Sequence, residues 1–192
     1  MGGKQKAWFV RACISLCIAV VAGNSAFGQE APKREVIQAT ARGQLRGSGK
    51  LYSITINIES YSTPEDQKKI MDAFSSGGHD GLVKALSQMD SRGRVAVEGT
   101  LGYQIAYIRS FNLKDGRVIR LLTDRPIQAG EALAGARTKP YDLSGIELHL
   151  YNEKNKSEGY LAVAGKFKVD KNKQITWESL GSAWKLVNIQ ER

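Results

Sequence analysis

From Leu51 to Glu59 the chain alternates without a break, Tyr52, Ile54, Ile56 and Ile58 being apolar and Ser53, Thr55, Asn57 and Glu59 polar. Successive side chains of a strand point to opposite faces, so this run predicts a strand with one face in a core and the other in water. Ile146, Leu148 and Leu150 repeat the pattern against Glu147, His149 and Tyr151. Asp115-Gly116 stands between the strand-like runs Tyr103–Phe111 and Val118–Thr123, which is a strong short-range signal for a hairpin. In the first of these runs Tyr103, Ile105, Tyr107 and Phe111 share one face with Arg109, while Ala106 and Ile108 make the other face partly apolar, so the strand is expected to be covered on both sides.

The remaining strands are read from turn spacing. The first starts near Glu35 and carries Gly43, Gly47 and Gly49, a pattern expected of a bent or weakly paired edge. After the polar segment Asn152–Glu158, Tyr160–Val169 reads as one strand with Leu161, Val163, Phe167 and Val169 on a common face. Lys171-Asn172-Lys173 turns the chain again, Ile175 and Trp177 begin a strand that Gly181 bends, and Trp184–Ile189 closes it.

One stretch breaks this habit. In Ser62–Met89, Thr63 can cap a helix, Pro64 suits its first position, and Glu65 and Asp66 place negative charge against the exposed N–H groups of the first turn. Ile70, Ala73 and Phe74 form an apolar face at i, i+3, i+4 spacing, and Gly77-Gly78 interrupts the run. A second helix follows, with Asp80 as its cap and an apolar stripe of Leu82, Val83, Ala85, Leu86 and Met89. The expected fold is α+β: about eight strands in a mainly antiparallel curved sheet, sandwich or barrel, with this two-helix segment inserted.

Ahead of the strands, Lys4, Lys6 and Arg11 precede an apolar run from Ala12 to Val21, and Ala26 and Gly28 put small side chains at the −3 and −1 positions of a cut after Gly28. Residues 1–28 therefore read as a secretory signal peptide whose apolar run falls short of the ~20 residues needed to span a bilayer. Cys13 and Cys17 lie inside that run, where neither suits lipidation, and both leave with it. A disulfide framework, a thiol nucleophile and a cysteine metal site are thereby excluded from the mature chain. Residues 29–192 are expected to form a single domain, secreted or periplasmic, with no stable membrane span once the signal is removed.

The whole chain has 28 basic and 19 acidic residues; without Lys4, Lys6 and Arg11 the balance is 25 − 19 = +6. The excess is spread along the chain and lacks the dense, aromatic-interleaved run of a nucleic-acid surface, so no nucleic-acid partner is expected.

Few residues suggest chemistry. His79 sits at the glycine-rich joint between the helices and His149 on the polar side of a strand, without the spacing of a zinc site. No catalytic residue, metal ligand or cofactor is assigned. The one stretch that suggests a binding rim is the connection from Asp124 to Leu143, rich in proline, glycine and alanine, because long irregular segments on rigid scaffolds are often functional. Within it Arg125, Arg137, Lys139 and Tyr141 are the candidate ligand-binding residues, with arginine able to hold a carboxylate or phosphate through paired hydrogen bonds. A passive crossover covering a barrel end is the alternative for the same stretch.

The segments YSTPEDQ (Tyr61–Gln67), GGHDGLVKAL (Gly77–Leu86) and RVIRLLTDRPI (Arg117–Ile127), with GRV (Gly93–Val95) and LGY (Leu101–Tyr103), resemble a group of secreted bacterial proteins of uncharacterised function. The resemblance implies export and a shared fold and carries over no catalytic residue, substrate or cofactor. The expected function is that of an exported non-catalytic binding or envelope-associated protein. Its partner is unspecified: an anionic or apolar small molecule, or an envelope component. The alternatives are a hydrolase-like enzyme and a structural or assembly factor acting through a sheet edge.

Overall fold

The computed structural model describes residues 34–42, 51–127, 143–153, 156–163, 165–171, 174–178 and 183–192. Their elements, in order, are β1 (Glu35–Arg42), β2 (Leu51–Ile58), α1 (Pro64–Ser87), β3 (Gly93–Val97), β4 (Tyr103–Leu113), β5 (Gly116–Thr123), β6 (Gly145–Tyr151), β7 (Glu158–Ala162), β8 (Phe167–Val169), β9 (Ile175–Trp177) and β10 (Trp184–Glu191). Eight strands close into an antiparallel barrel in the order β1-β10-β7-β6-β5-β4-β3-β2. Strands β8 and β9 form a separate two-stranded sheet. The α+β expectation therefore resolves to a barrel.

Alternation decides which side chains fill it. Ile54, Ile56 and Ile58 of β2 point inward with Ile37, Ala39 and Ala41 of β1, Val95 and Val97 of β3, Ile119 and Leu121 of β5, and Ile146, Leu148 and Leu150 of β6. Ile37, Ala41, Ile54, Ile56, Val95, Ile105, Ile108, Ile119, Leu148, Leu161 and Leu186 are all inaccessible to solvent. A water-sized void beside any of them would register as exposure, so the barrel centre is a packed core rather than a ligand cup. Each such isoleucine or leucine contributes roughly 1.5–3 kcal/mol relative to an exposed one. The outer wall carries Asn57, Arg94, Gln104, Glu147 and Lys185, which reverses the polarity of a membrane-spanning barrel. Among the described residues no helix is long and apolar enough to cross a membrane.

Two irregularities reset the alternation. The β4–β5 register shifts between Ile105 and Tyr107, so Ile105 and Ile108, three apart, both join the barrel core while Tyr107 turns outward. The single-face reading of Tyr103, Ile105, Tyr107 and Phe111 is thereby corrected: a bulge inserts one residue and flips everything after it. The second shift lies opposite Ala39, where Asn188 takes φ 53° and lets Leu186 and Ile189 share the interior. Asparagine enters this left-handed region more readily than other residues with a Cβ.

Strand β1 is not an edge, because it pairs along its length with β2 and also with β10. Its small inward residue Ala41 lies opposite Tyr52 and Leu186, beside the stacked rings of Tyr52 and Trp184, whose centroids are 5.2 Å apart. Tyr160–Val169 is likewise not one strand. The chain leaves the barrel after Ala162, Gly165 N–H bonds to the Leu143 carbonyl, and Phe167 pairs with Trp177 in the small sheet.

Helix α1 begins as its sequence requires. Thr63 caps it, Pro64 occupies the first turn, and Thr63 and Asp66 exchange the two hydrogen bonds of a capping box. Gly78 breaks the helix with φ 58° and ψ −140°, a conformation that disfavours any residue with a Cβ. Both halves face a second core outside the barrel, where Ile70, Leu82 and Leu86 meet Ala106 and Tyr107 of β4, Leu122 of β5, and Phe167 and Ile175 of the small sheet. Strand β4 is thus covered on both faces, as its two semi-apolar faces imply.

Candidate functional site

The barrel has two different ends. Register places Arg42, Tyr52, Val97, Thr123, Gly145 and Trp184 toward one end, and Glu35, Ile58, Gly116, Tyr151 and Glu191 toward the other. The connection expected to form a binding rim leaves from the first of these.

At that end the start of the connection serves as a cap. Thr123 Oγ1 donates to the Arg125 carbonyl at 2.6 Å and accepts from Ser144 N–H at 3.0 Å, Ile127 N–H donates to Ser144 Oγ at 2.6 Å, and Ser144 Oγ donates to the Val163 carbonyl. These bonds satisfy the buried hydroxyls and seat Ile127, fully buried, in the barrel core. Arg125 itself points outward, its guanidinium 5.7 Å from the Tyr103 ring centre and 4.0 Å from Asp124, too far for a hydrogen bond. Arg137, Lys139 and Tyr141 lie outside the described residues.

The opposite end is closed by charge. Glu35, Arg117 and Glu191 occupy inward positions in register with Ile37 and Ile119. Arg117 Nη2 donates to Glu35 Oε2 at 2.7 Å and to Glu191 Oε2 at 3.1 Å, and Nη1 donates to Glu35 Oε1 at 3.3 Å and to the Tyr61 hydroxyl at 3.4 Å. Tyr61 in turn donates to Glu35 Oε1 at 3.1 Å. Burial opposes the charge on Arg117, yet the hydrogen bonds it donates to Glu35 and the charges around it hold its pKa above the ordinary value. Burial, and then the Glu35 carboxylate, raise the pKa of the Tyr61 hydroxyl.

Past this plug, β4, β5 and β6 run on, and Asn152 N–H ties to the Asp115 carbonyl at 3.0 Å. The projecting strands wall an open depression of about 490 Å³ lined by Asn112, Lys114, Arg117, Tyr151, Asn152 and Glu191, together with Leu113, Gly116 and Leu150. Leu150 belongs to the barrel core, so the depression rests directly on the rigid scaffold.

The outer wall holds a third cluster. Arg120 Nε donates to Glu147 Oε2 at 2.7 Å, and the guanidinium lies 5.3 Å from the Phe111 ring centre. Glu147 Oε1 lies 2.8 Å from His149 Nε2, so His149 is part of a half-buried network rather than a free surface residue. The adjoining slot beneath Trp177 and Phe167 has about 10 Å³ of free volume, room for no more than a single water. His79 lies on α1, its ring parallel to that same Phe167 at 6.3 Å. Among the described residues, no group of His, Cys, Asp and Glu is arranged to hold a metal ion.

Sequence reasoning missed the plug because Glu35, Tyr61 and Arg117 lie 26 to 82 residues apart. The available signal was parity: Glu35 precedes Ile37, and Arg117 precedes Ile119, on the core-facing side of their strands. No protein-family model matches the chain, and comparison with curated proteins and with solved structures finds no significant match.

Proposed function

We propose that this is an exported, non-catalytic binding protein that holds its ligand in the depression at the Glu35 end of the barrel. The filled barrel interior carries this reading, because it leaves no room for a ligand at the centre and directs recognition to the surface. The signal-like segment 1–28 supports export. The depression combines rigid walls with polar groups and has the volume of a small-molecule site.

Two measurements test this. Mass spectrometry of the exported product is expected to give an amino terminus close to Gln29, whereas a full-length membrane-bound chain would overturn the export reading. A thermal-shift screen of small polar molecules is run on the exported chain and on its Asn112→Ala/Lys114→Ala variant. A stabilising ligand is expected to lose its effect on the variant; equal stabilisation of both would place the site elsewhere.

A further inference from the structure

Accepting the depression as the ligand site, we infer that the ligand it takes is an uncharged carbohydrate segment. The charges at its floor are already committed. Of the charged lining groups, Arg117 and Glu191 are bonded to each other, and the same guanidinium is also held by Glu35, which does not line the depression, so Lys114 is the one lining cation outside this cluster among the described residues. A charged ligand therefore has to compete with the Arg117 cluster for the floor.

What the walls leave available is hydrogen-bonding capacity. Asn112 and Asn152 are exposed, one from the β4 wall and one from the end of β6, and among the described residues neither carboxamide is engaged by another side chain or backbone group. A carboxamide offers two donors and an acceptor in one plane. Adjacent hydroxyls of a sugar each donate and accept, so they match such a group where a carboxylate or ammonium ion, which is one-signed, does not. Glu191 adds an acceptor, since its side chain is 45% exposed and only one of its oxygens is bonded to Arg117. Leu113, itself 44% exposed, and Tyr151 add apolar surface for the C–H face of a sugar ring. The depression is open rather than enclosed, so a chain can pass through it and a single residue of a longer polymer can be read.

Saturation-transfer NMR decides the matter, using the exported chain with three neutral trisaccharides (maltotriose, cellotriose and tri-N-acetylchitotriose) and two charged controls, citrate and spermidine. At least one trisaccharide is expected to receive magnetisation, and its affinity is expected to fall about tenfold or more in Asn112→Ala/Asn152→Ala, the scale of one or two lost hydrogen bonds. Arg125→Ala, at the other barrel end, is expected to leave it unchanged. Binding of a charged control alone, abolished by the Asn112/Asn152 variant, would keep the depression as the site and overturn the carbohydrate assignment. Trisaccharide binding that the variant does not weaken, or binding by none of the five probes, would overturn the carbohydrate assignment at this site; the former would overturn the depression reading with it.

Discussion

Arg117 and Glu35, 82 residues apart in sequence, meet as a two-pronged ion pair across one end of the barrel, with Nη2–Oε2 at 2.7 Å and Nη1–Oε1 at 3.3 Å. The pair links β5 to β1, strands that are not neighbours in the sheet, so it braces the barrel across its diameter. An apolar residue at position 117 would leave the Glu35 carboxylate half-buried without its cation, whereas one at position 35 would leave Arg117 with Glu191 alone.

Arg117→Ala is accordingly expected to destabilise by about 2–4 kcal/mol, below the range for a fully buried pair because both side chains retain some solvent contact. Arg117→Lys is expected to recover only part of this, since an ammonium group cannot make the paired contact. Urea unfolding measures both. A loss below about 0.5 kcal/mol for Arg117→Ala would show that the plug adds nothing to stability.

The two tyrosines predict an alkaline limit. Burial pushes Tyr107 up to about 12, and Tyr61 is raised as well, so between pH 10 and 12 the folded state keeps protons that the unfolded state releases. Stability is therefore fully present below pH 10 and is lost as pH rises toward 12. Tyr107→Phe is expected to flatten that decline. Absorbance at 295 nm checks it: these two hydroxyls should ionise only as the barrel unfolds, and a single uniform titration of all tyrosines near pH 10 in the folded protein would contradict it.

Trp177 lies against Gly145, where an added Cβ would sit 2.6 Å from the indole ring. The ring is rigid and the glycine belongs to β6, so Gly145→Ala must push the small sheet off the barrel wall. Trp177 fluorescence is expected to shift to the red while Trp184, in the barrel core, keeps its environment. Unchanged emission would mean that the small sheet yields without losing contact.

What was legible in the sequence follows the length scale of each cause. β2 and β6 were readable because strict alternation is a local consequence of one-sided burial, and the start of α1 because the capping box spans four residues. The bulges were not, although spacings of three between Ile105 and Ile108 and between Leu186 and Ile189 are their trace. Phe167 read as sharing a face with Leu161 and Val163, since apolar alternation cannot say which of two cores a strand faces. Arg125 was placed in a binding rim by the composition of its segment, whereas the hydroxyls that anchor the segment are Thr123 and Ser144 at its ends.

The outer core supplies the last prediction, because its two most similar-looking helix residues are buried to different degrees. Ile70 is fully buried against β4 and the small sheet, while Phe74, one turn later, is only partly covered. Removing Ile70 leaves a cavity in a closed core, and Ile70→Ala is expected to cost about 2–5 kcal/mol. Phe74→Ala removes a ring that already meets water on one side and is expected to cost about 1–2 kcal/mol, less than the ~3–5 kcal/mol typical of a fully buried phenylalanine. Denaturant titration of the two variants ranks them. A larger loss at Phe74 would mean that the first half of α1 presents a different face to the barrel, with Phe74 rather than Ile70 as its anchor.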